Sequence, residues 1–182
     1  MSAARLVRVV DGDTIVVRRF GLLGYYNQTI RLSGIDAPER NQPGGLAATQ
    51  ALRGLLSSGI PRGTVYLTFR GVGYYGRTIA DVSVRKYCPT IANPFRICYI
   101  DSARFLVRRG YAWAIKSYGA STGLLALWRI ARLGRAGLWR RKRRPVRPSV
   151  WRRNRRRRRR VRDKIEPSKD TKTVEMLLRS VL

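Results

Sequence analysis

A small α+β fold, mainly β in its first half, is predicted by three observations. Short runs of β-branched residues, punctuated by turn signals, fill the first forty positions. Three later segments have helical spacing and are each followed by glycine. Beyond Trp139 the composition changes abruptly to arginine.

The elements follow in order. Arg5–Val10 and Thr14–Phe20 read as strands, broken only by Asp11-Gly12-Asp13, which has the residues of a tight turn or bulge. Gly21–Gly24 reads as a hairpin connection and Asn27–Ile35 as a third strand, with Ile30 and Leu32 facing the core. After Pro43-Gly44-Gly45, the spacing of Leu46, Leu52, Leu55 and Leu56 predicts a helix over Leu46–Ser57, stopped by Gly59 and Pro61. Thr64–Phe69, Arg77–Val84 and Arg96–Ile100 read as strands, and Ser102–Arg109 and Thr122–Arg135 as amphipathic helices. Strands followed by helices in that order suit a closed Greek-key barrel of the OB-fold type. Trp113, Trp128 and Trp139 read as core aromatics, and no internal repeat is present.

Composition narrows the chemistry. With 182 residues, 44% of them hydrophobic, the chain is long enough for one domain and an extension. Its net charge of +29 points to a polyanionic partner. No apolar run is long enough to span a membrane, so no insertion is expected. The start MSAARLVRVVDGDT lacks the apolar core of a signal peptide, and the protein is expected to be intracellular and associated with nucleic acid. Histidine is absent, which removes Ser-His-Asp and Cys-His catalysis and every His-ligated metal. Cys88 and Cys98 are the only cysteines, too few for a four-cysteine zinc site. In most cells two free thiols are expected there, with a hairpin disulfide as the alternative. A metal in this chain must therefore be held by oxygen, as calcium or magnesium are.

Residues 1–139 carry twenty basic and six acidic residues, a net +14, whereas residues 140–182 carry nineteen and four, a net +15. Between Arg140 and Arg160 there are fourteen basic residues and no acid. Self-repulsion on this scale predicts a disordered nucleic-acid-binding tail over residues 140–168. Its phosphate-contacting candidates are Arg140, Arg141, Arg143, Arg144, Arg152, Arg153, Arg155, Arg156, Arg157, Arg158, Arg159 and Arg160. Val174, Leu177, Leu178 and Val181 share one helical face and predict a short amphipathic helix over residues 169–182.

Asp11, Asp13, Asp36 and Glu39 are four of the six acids in the globular part, and all lie at turns beside strand ends. Phosphodiester cleavage needs extra charge on the phosphoryl oxygens stabilised and a water activated. Two carboxylates can hold a hard dication, a third can take the proton, and guanidinium forks suit the remaining phosphate oxygens. Asp-Gly-Asp alone is a common turn. The order VVDGDTIVV, IRLSGIDAPE, YGRTIADVSV, LVRRGYAWA and GLW is more specific, and it resembles the successive signature segments of the thermonuclease, or staphylococcal-nuclease-like, family. The resemblance spans about residues 5–139 and implies a five-stranded barrel with three helices.

It also implies roles. Asp13, Asp36 and the backbone carbonyl of Ala37 would ligate one calcium ion, with magnesium or manganese as substitutes, and Asp11 would act through a water. Glu39 would be the general base, and Arg31 and Arg77 would clamp the scissile phosphate. Tyr75 and Tyr118 would lie near the nucleotide, although from its residues alone Tyr118 reads as surface or core packing. The implied activity is endo- and exonucleolytic cleavage of DNA, RNA or both, leaving 3′-phosphate and 5′-hydroxyl ends, by a monomer without a small-molecule cofactor. The loop after Glu39 is shorter than in the family's type member, and Lys86–Phe95 is an insertion. A different class, a non-catalytic nucleic-acid-binding or scaffold barrel anchored by its tail, would not need Asp13, Arg31, Asp36, Glu39 and Arg77 together.

Overall fold

Which side chains reach the core decides how the first strands pack. On β2 (Thr14–Gly21) Thr14 to Val17 are all buried but only Ile15 and Val17 join the main core, and on β3 (Gly24–Leu32) Ile30 and Leu32 join it, so one face of this antiparallel pair forms the barrel wall. The computed structural model describes residues 1–73, 76–140 and 144–165. They divide into two units, Met1–Pro145 and a second beginning at Val146.

In the first unit β1 (Ser2–Val9) pairs antiparallel with β2 on one side and with β5 (Thr64–Val72) on the other. β5 continues to β6 (Thr78–Tyr87), which also pairs with β7 (Ile97–Asp101). A parallel contact of β3 with β6, with Ile30 opposite Thr78 and Leu32 opposite Ala80, closes five strands into a barrel. Register shifts between Leu6 and Arg8 and between Phe69 and Gly71 supply the bends that closure requires. A two-residue strand β4 (Ile35–Asp36) pairs with β8 (Trp113–Ala114) beside the barrel.

Three helices cover the barrel's apolar surface. Leu52 and Leu56 of α1 (Gly45–Ser57) and Leu106 and Val107 of α2 (Ser102–Arg108) are fully buried in one cluster with Val65, Val82 and Val84. Each such side chain contributes roughly 1.5–3 kcal/mol of transfer free energy. α3 (Thr122–Leu133) adds Leu124 to this core, and the side chain of its N-cap Ser121 accepts from the Leu124 amide at 3.2 Å. Trp113 is buried, whereas Trp128 and Trp139 are half-buried and stack edge-on in a chain with it, capped by the Arg132 guanidinium.

Several boundaries differ from the sequence expectation. β3 begins at Gly24 rather than Asn27, because Tyr25 and Tyr26 pair with Phe20 and Arg19. It stops at Leu32 rather than Ile35, because Gly34 adopts a left-handed φ of +76° and turns the chain into β4. Cys88 and Cys98 are disulfide-bonded, not free thiols; β6 and β7 form a hairpin that sets their Cα atoms 5.9 Å apart. The second unit contains a helix, α4 (Pro148–Ile165), where repulsion predicts an unstructured segment. Arginine is a good helix former, proline is favoured at a first helical position, and no glycine interrupts the run. The helix expected over 169–182, together with Tyr75, Arg141 and Arg143, lies outside the described residues. Among the described residues no helix is long and apolar enough to cross a membrane.

Asp101 caps α2 by accepting the Arg104 amide at 2.7 Å. Burial raises its pKa, opposed by that hydrogen bond. A raised folded-state pKa favours the fold most at low pH, and the contribution is lost as pH rises through the folded value. Asp101→Ala should lower unfolding free energy by ~1 kcal/mol in urea titrations. Asp101→Asn, an equally good cap that cannot titrate, should keep the stability and flatten this part of its pH dependence.

Candidate active site

Strand pairing brings distant residues to one end of the barrel. Thr14 lies opposite Arg31, so Asp13, one residue before β2, stands beside the end of β3. The Leu32 amide donates to the Asp13 carbonyl at 2.8 Å and fixes the turn there. Arg77 immediately precedes Thr78, whose partner across the parallel pairing is Ile30. Asp36 ends β4, held against Trp113.

The Arg31 guanidinium spans the two buried acids. Its Nη1 donates to Asp13 Oδ1 at 2.9 Å and its Nη2 to Asp36 Oδ1 at 2.8 Å. Asp13 also accepts from Thr14 Oγ1 at 3.0 Å and, through Oδ2, from the Ala37 amide at 2.8 Å. Asp11, half-buried, accepts the Asp13 amide at 3.0 Å. The Tyr118 ring lies under the guanidinium, 5.5 Å from centroid to Cζ, a cation–π contact. Asp11, Asp13, Arg31, Asp36, Ala37 and Tyr118 are thus connected in space.

Glu39 sits three residues beyond Asp36, half-buried, on a loop locked by a residue that the sequence pattern does not single out. Gln42 is buried; its Oε1 accepts the Glu39 amide at 3.2 Å and its own amide donates to the Glu39 carbonyl at 2.8 Å. Gly45 is needed for the same loop, since a Cβ there would overlap the Glu39 carbonyl oxygen. Gly12 serves the acid pair similarly: a Cβ would come within 2.7 Å of the side chains of Ala37 and Ala48. The spacing Glu-x-x-Gln is the available signal for Gln42. The described arginines of the basic run are on other elements: Arg140 ends a short 3₁₀ turn, Gly137–Arg140, Arg144 comes after it in the chain, and Arg152, Arg153 and Arg155–Arg160 are on α4 of the second unit.

Electrostatics show where charge collects. Burial pushes the Asp13 carboxyl up to about 7; Arg31 and the Ala37 amide oppose the rise, while Asp11 and Asp36 add to it. Two buried carboxyl groups share the Arg31 guanidinium, with a third, Asp11, close by. All the acidic donors are oxygen, which suits a hard divalent cation and offers nothing to a soft one. Among the described residues no cluster of three or more His, Cys, Asp or Glu side chains is placed to ligate a metal. Asp13 and Asp36 are the two carboxyl groups that one guanidinium brings together there.

A small closed barrel with a buried acid pair bridged by an arginine at one end, and a glutamate three residues beyond the second acid, defines an OB-type α+β protein. Comparison with known proteins agrees with that class. The profile of the family described as staphylococcal nuclease homologue matches residues 29–141. An uncharacterized endonuclease of Escherichia coli O157:H7 is 34% identical over 148 residues, covering 81% of this chain and 83% of its own length. A micrococcal nuclease of Shigella flexneri is 35% identical over 136 residues, covering 74% of this chain and 71% of its own length. The protein ParB of Escherichia coli is also 35% identical over 136 residues, covering 74% of this chain and 70% of its own length. The chain belongs to the staphylococcal nuclease homologue family, and the names of its relatives support a nuclease.

Arg31→Ala should destabilise the fold by about 3 kcal/mol, the low end for breaking a buried pair, because the Arg31 side chain is 16% exposed. Adding Asp13→Asn removes one of the charges that the lost guanidinium would leave behind. The double variant should therefore recover part of the loss, as a less-than-additive double-mutant cycle in urea unfolding.

Proposed function

We propose that the protein is a calcium-dependent endo- and exonuclease of low sequence specificity, hydrolysing DNA, RNA or both to 3′-phosphate and 5′-hydroxyl ends. The observation that carries this reading is the Arg31 bridge between two buried carboxylates, with Glu39 held close by in sequence and by its own lock on Gln42.

Asp13 and Asp36 would hold one calcium ion together with the Ala37 carbonyl, and Asp11 would act through a water; magnesium or manganese are the substitutes. When bound, the ion supplies Lewis-acid stabilisation of phosphoryl charge and favours ionisation of water. The chain's own residues do the rest. Glu39 takes the proton of the attacking water, since no histidine exists to do so. Arg31 and Arg77 donate charge-assisted hydrogen bonds to the phosphoryl oxygens as negative charge develops there. An oxygen–phosphorus bond forms from water, the bond to the 5′ oxygen breaks, and that oxygen is protonated from solvent. Carboxylates hold Arg31 through two of its five N–H groups, which fixes the guanidinium plane before substrate arrives. Tyr118 beneath Arg31, and Tyr75, would flank the nucleotide. The basic segment, Arg140 to Arg160, would contact phosphates without sequence preference.

Chelator should abolish cleavage of labelled DNA or RNA and added calcium should restore it; full cleavage in excess chelator would exclude Asp13 and Asp36 as ligands. Glu39→Gln should lower turnover ~10²–10⁴-fold while leaving affinity for nucleic acid nearly unchanged. A non-catalytic binding protein would show no cleavage in either form.

Deleting the residues after Trp139 removes a net +15 and none of the proposed catalytic set. The shortened protein should retain its maximal rate on a short oligonucleotide and bind long duplex DNA more weakly. Its log–log salt slope should flatten by about 0.9 for each phosphate that the basic segment no longer neutralises, measured by titration across a salt series.

A further inference from the structure

The hairpin that carries Arg31 ends in side chains that the fold leaves uncovered. Leu22 and Leu23 at its turn are fully exposed, Phe20 is 75% exposed and Tyr25 is 77% exposed. The Phe20 and Tyr25 rings pack edge-on, with centroids 5.3 Å apart. Four large apolar side chains in water at one tip are a cost to a barrel whose core is otherwise closed, and so they point to a ligand.

Register shows which way this surface faces. Ile15 and Val17 of β2 and Ile30 of β3 point into the core. On the opposite face every second residue of β3 is Arg31, Thr29, Asn27 and Tyr25, paired across to Thr14 and Val16, which are buried, and to Arg18 and Phe20, which are exposed. The bridging arginine and the ring pair therefore lie on one face, at its two ends. Between them stand the hydrogen-bonding side chains of Asn27 and Thr29 and the exposed Arg18. No acidic residue occurs from Thr14 to Ile35. A guanidinium beside exposed aromatic rings is the combination that holds single-stranded nucleic acid, by phosphate contact and base stacking. A lipid phase would have to desolvate Asn27 and Thr29, and a second cationic copy would bring like charges together.

We propose that the tip of the β2–β3 hairpin is a stacking subsite for unpaired bases of the substrate, with Arg18 on the adjoining phosphate. The proposal rests on the nuclease reading of the Arg31 end. Six residues of strand separate Arg31 from Tyr25, a distance of about 20 Å. In a strand that keeps the stacked duplex spacing of about 3.4 Å per nucleotide this corresponds to roughly six nucleotides, and to fewer in an extended strand. The subsite thus favours substrates with a single-stranded stretch long enough to reach it, and apolar Leu22 and Leu23 are suited to wedge beside the stacked base.

The test compares wild type with a variant carrying Phe20→Ser, Leu22→Ser, Leu23→Ser and Tyr25→Ser, and with a Phe20→Trp, Tyr25→Trp variant that keeps the rings. Affinities are measured by anisotropy in chelator, so that cleavage plays no part, for a dinucleotide, a single strand of about sixteen nucleotides and the matching duplex. The serine variant should bind the long single strand roughly tenfold or more weakly. It should bind the dinucleotide as wild type does, and the tryptophan variant should bind the long strand with wild-type affinity. A 2-aminopurine placed about six nucleotides from the cleaved bond should be quenched by wild type and not by the serine variant. Unchanged affinity for the long strand would overturn the proposal. So would a serine variant whose only defect is in binding phosphatidylglycerol vesicles, or in self-association measured by sedimentation. If wild type cleaves nothing with any divalent metal, the nuclease reading fails, while the affinity comparison still decides the role of the tip.

Discussion

Burying two carboxylates within reach of one another is a large electrostatic cost, and a single guanidinium makes it tolerable. Asp13 and Asp36 come from a turn and a two-residue strand, and neither segment has an intrinsic reason to hold an acid indoors. Arg31 supplies that reason. Its side chain is reached from β3, stiffened by cross-strand pairing to β2, and supported by the ring of Tyr118. Gly12 allows the Asp11-to-Asp13 turn to press against Ala37, and the Ala37 amide then reaches Asp13. Removing the arginine would leave the surrounding packing arranged about a charge deprived of its bridge.

The two units handle charge differently. In the barrel, arginines are spread around a closed core, and Arg31 is drawn inward by two acids. In α4 they line a helix rich in like charges. Such charges four residues apart weaken a helix by a few tenths of a kcal/mol per pair. Favourable arginine propensity and the proline at the helix start work in the opposite sense. Both contributions are small per residue, so a polyanion that neutralises the repulsion would tip the balance further toward helix. Charge and conformation in this segment are therefore coupled.

The acids and arginines of the site are legible in the sequence because they stand at strand ends in a chain with few acids. Asp13, Arg31 and Asp36 can be picked out by position and type, and strand pairing joins them. Gln42 is faintly legible, through its spacing from Glu39 alone, since a buried amide in a turn has the composition of an exposed one. Gly45 escapes notice because its importance lies in the backbone that passes beside it, which periodicity does not reveal. β8 is only two residues long and exists through its partner β4, so local pattern does not disclose it. Cysteine pairing depends on the β6–β7 hairpin register, and the α4 helix depends on a balance that a charge count reads from one side only.

The parallel contact between β3 and β6 has a consequence for how the molecule comes into being. Ile30 and Thr78 meet across nearly fifty residues of intervening chain, whereas the neighbouring antiparallel pair β2–β3 closes over a two-residue turn. Closing the longer loop costs more chain entropy and is repaid only by contacts formed afterwards, so the shorter pairing has the kinetic advantage. Arg31 can therefore meet Asp13 early, while the segment beginning at Arg77 reaches β3 only through a long-range pairing. A nascent chain that has left the ribosome only as far as β3 would carry one arginine at its acid partner while the other was still unmade. The order of synthesis and the order of loop closure thus run the same way, and both delay the meeting of the Arg31 and Arg77 segments until the strands that carry them have formed.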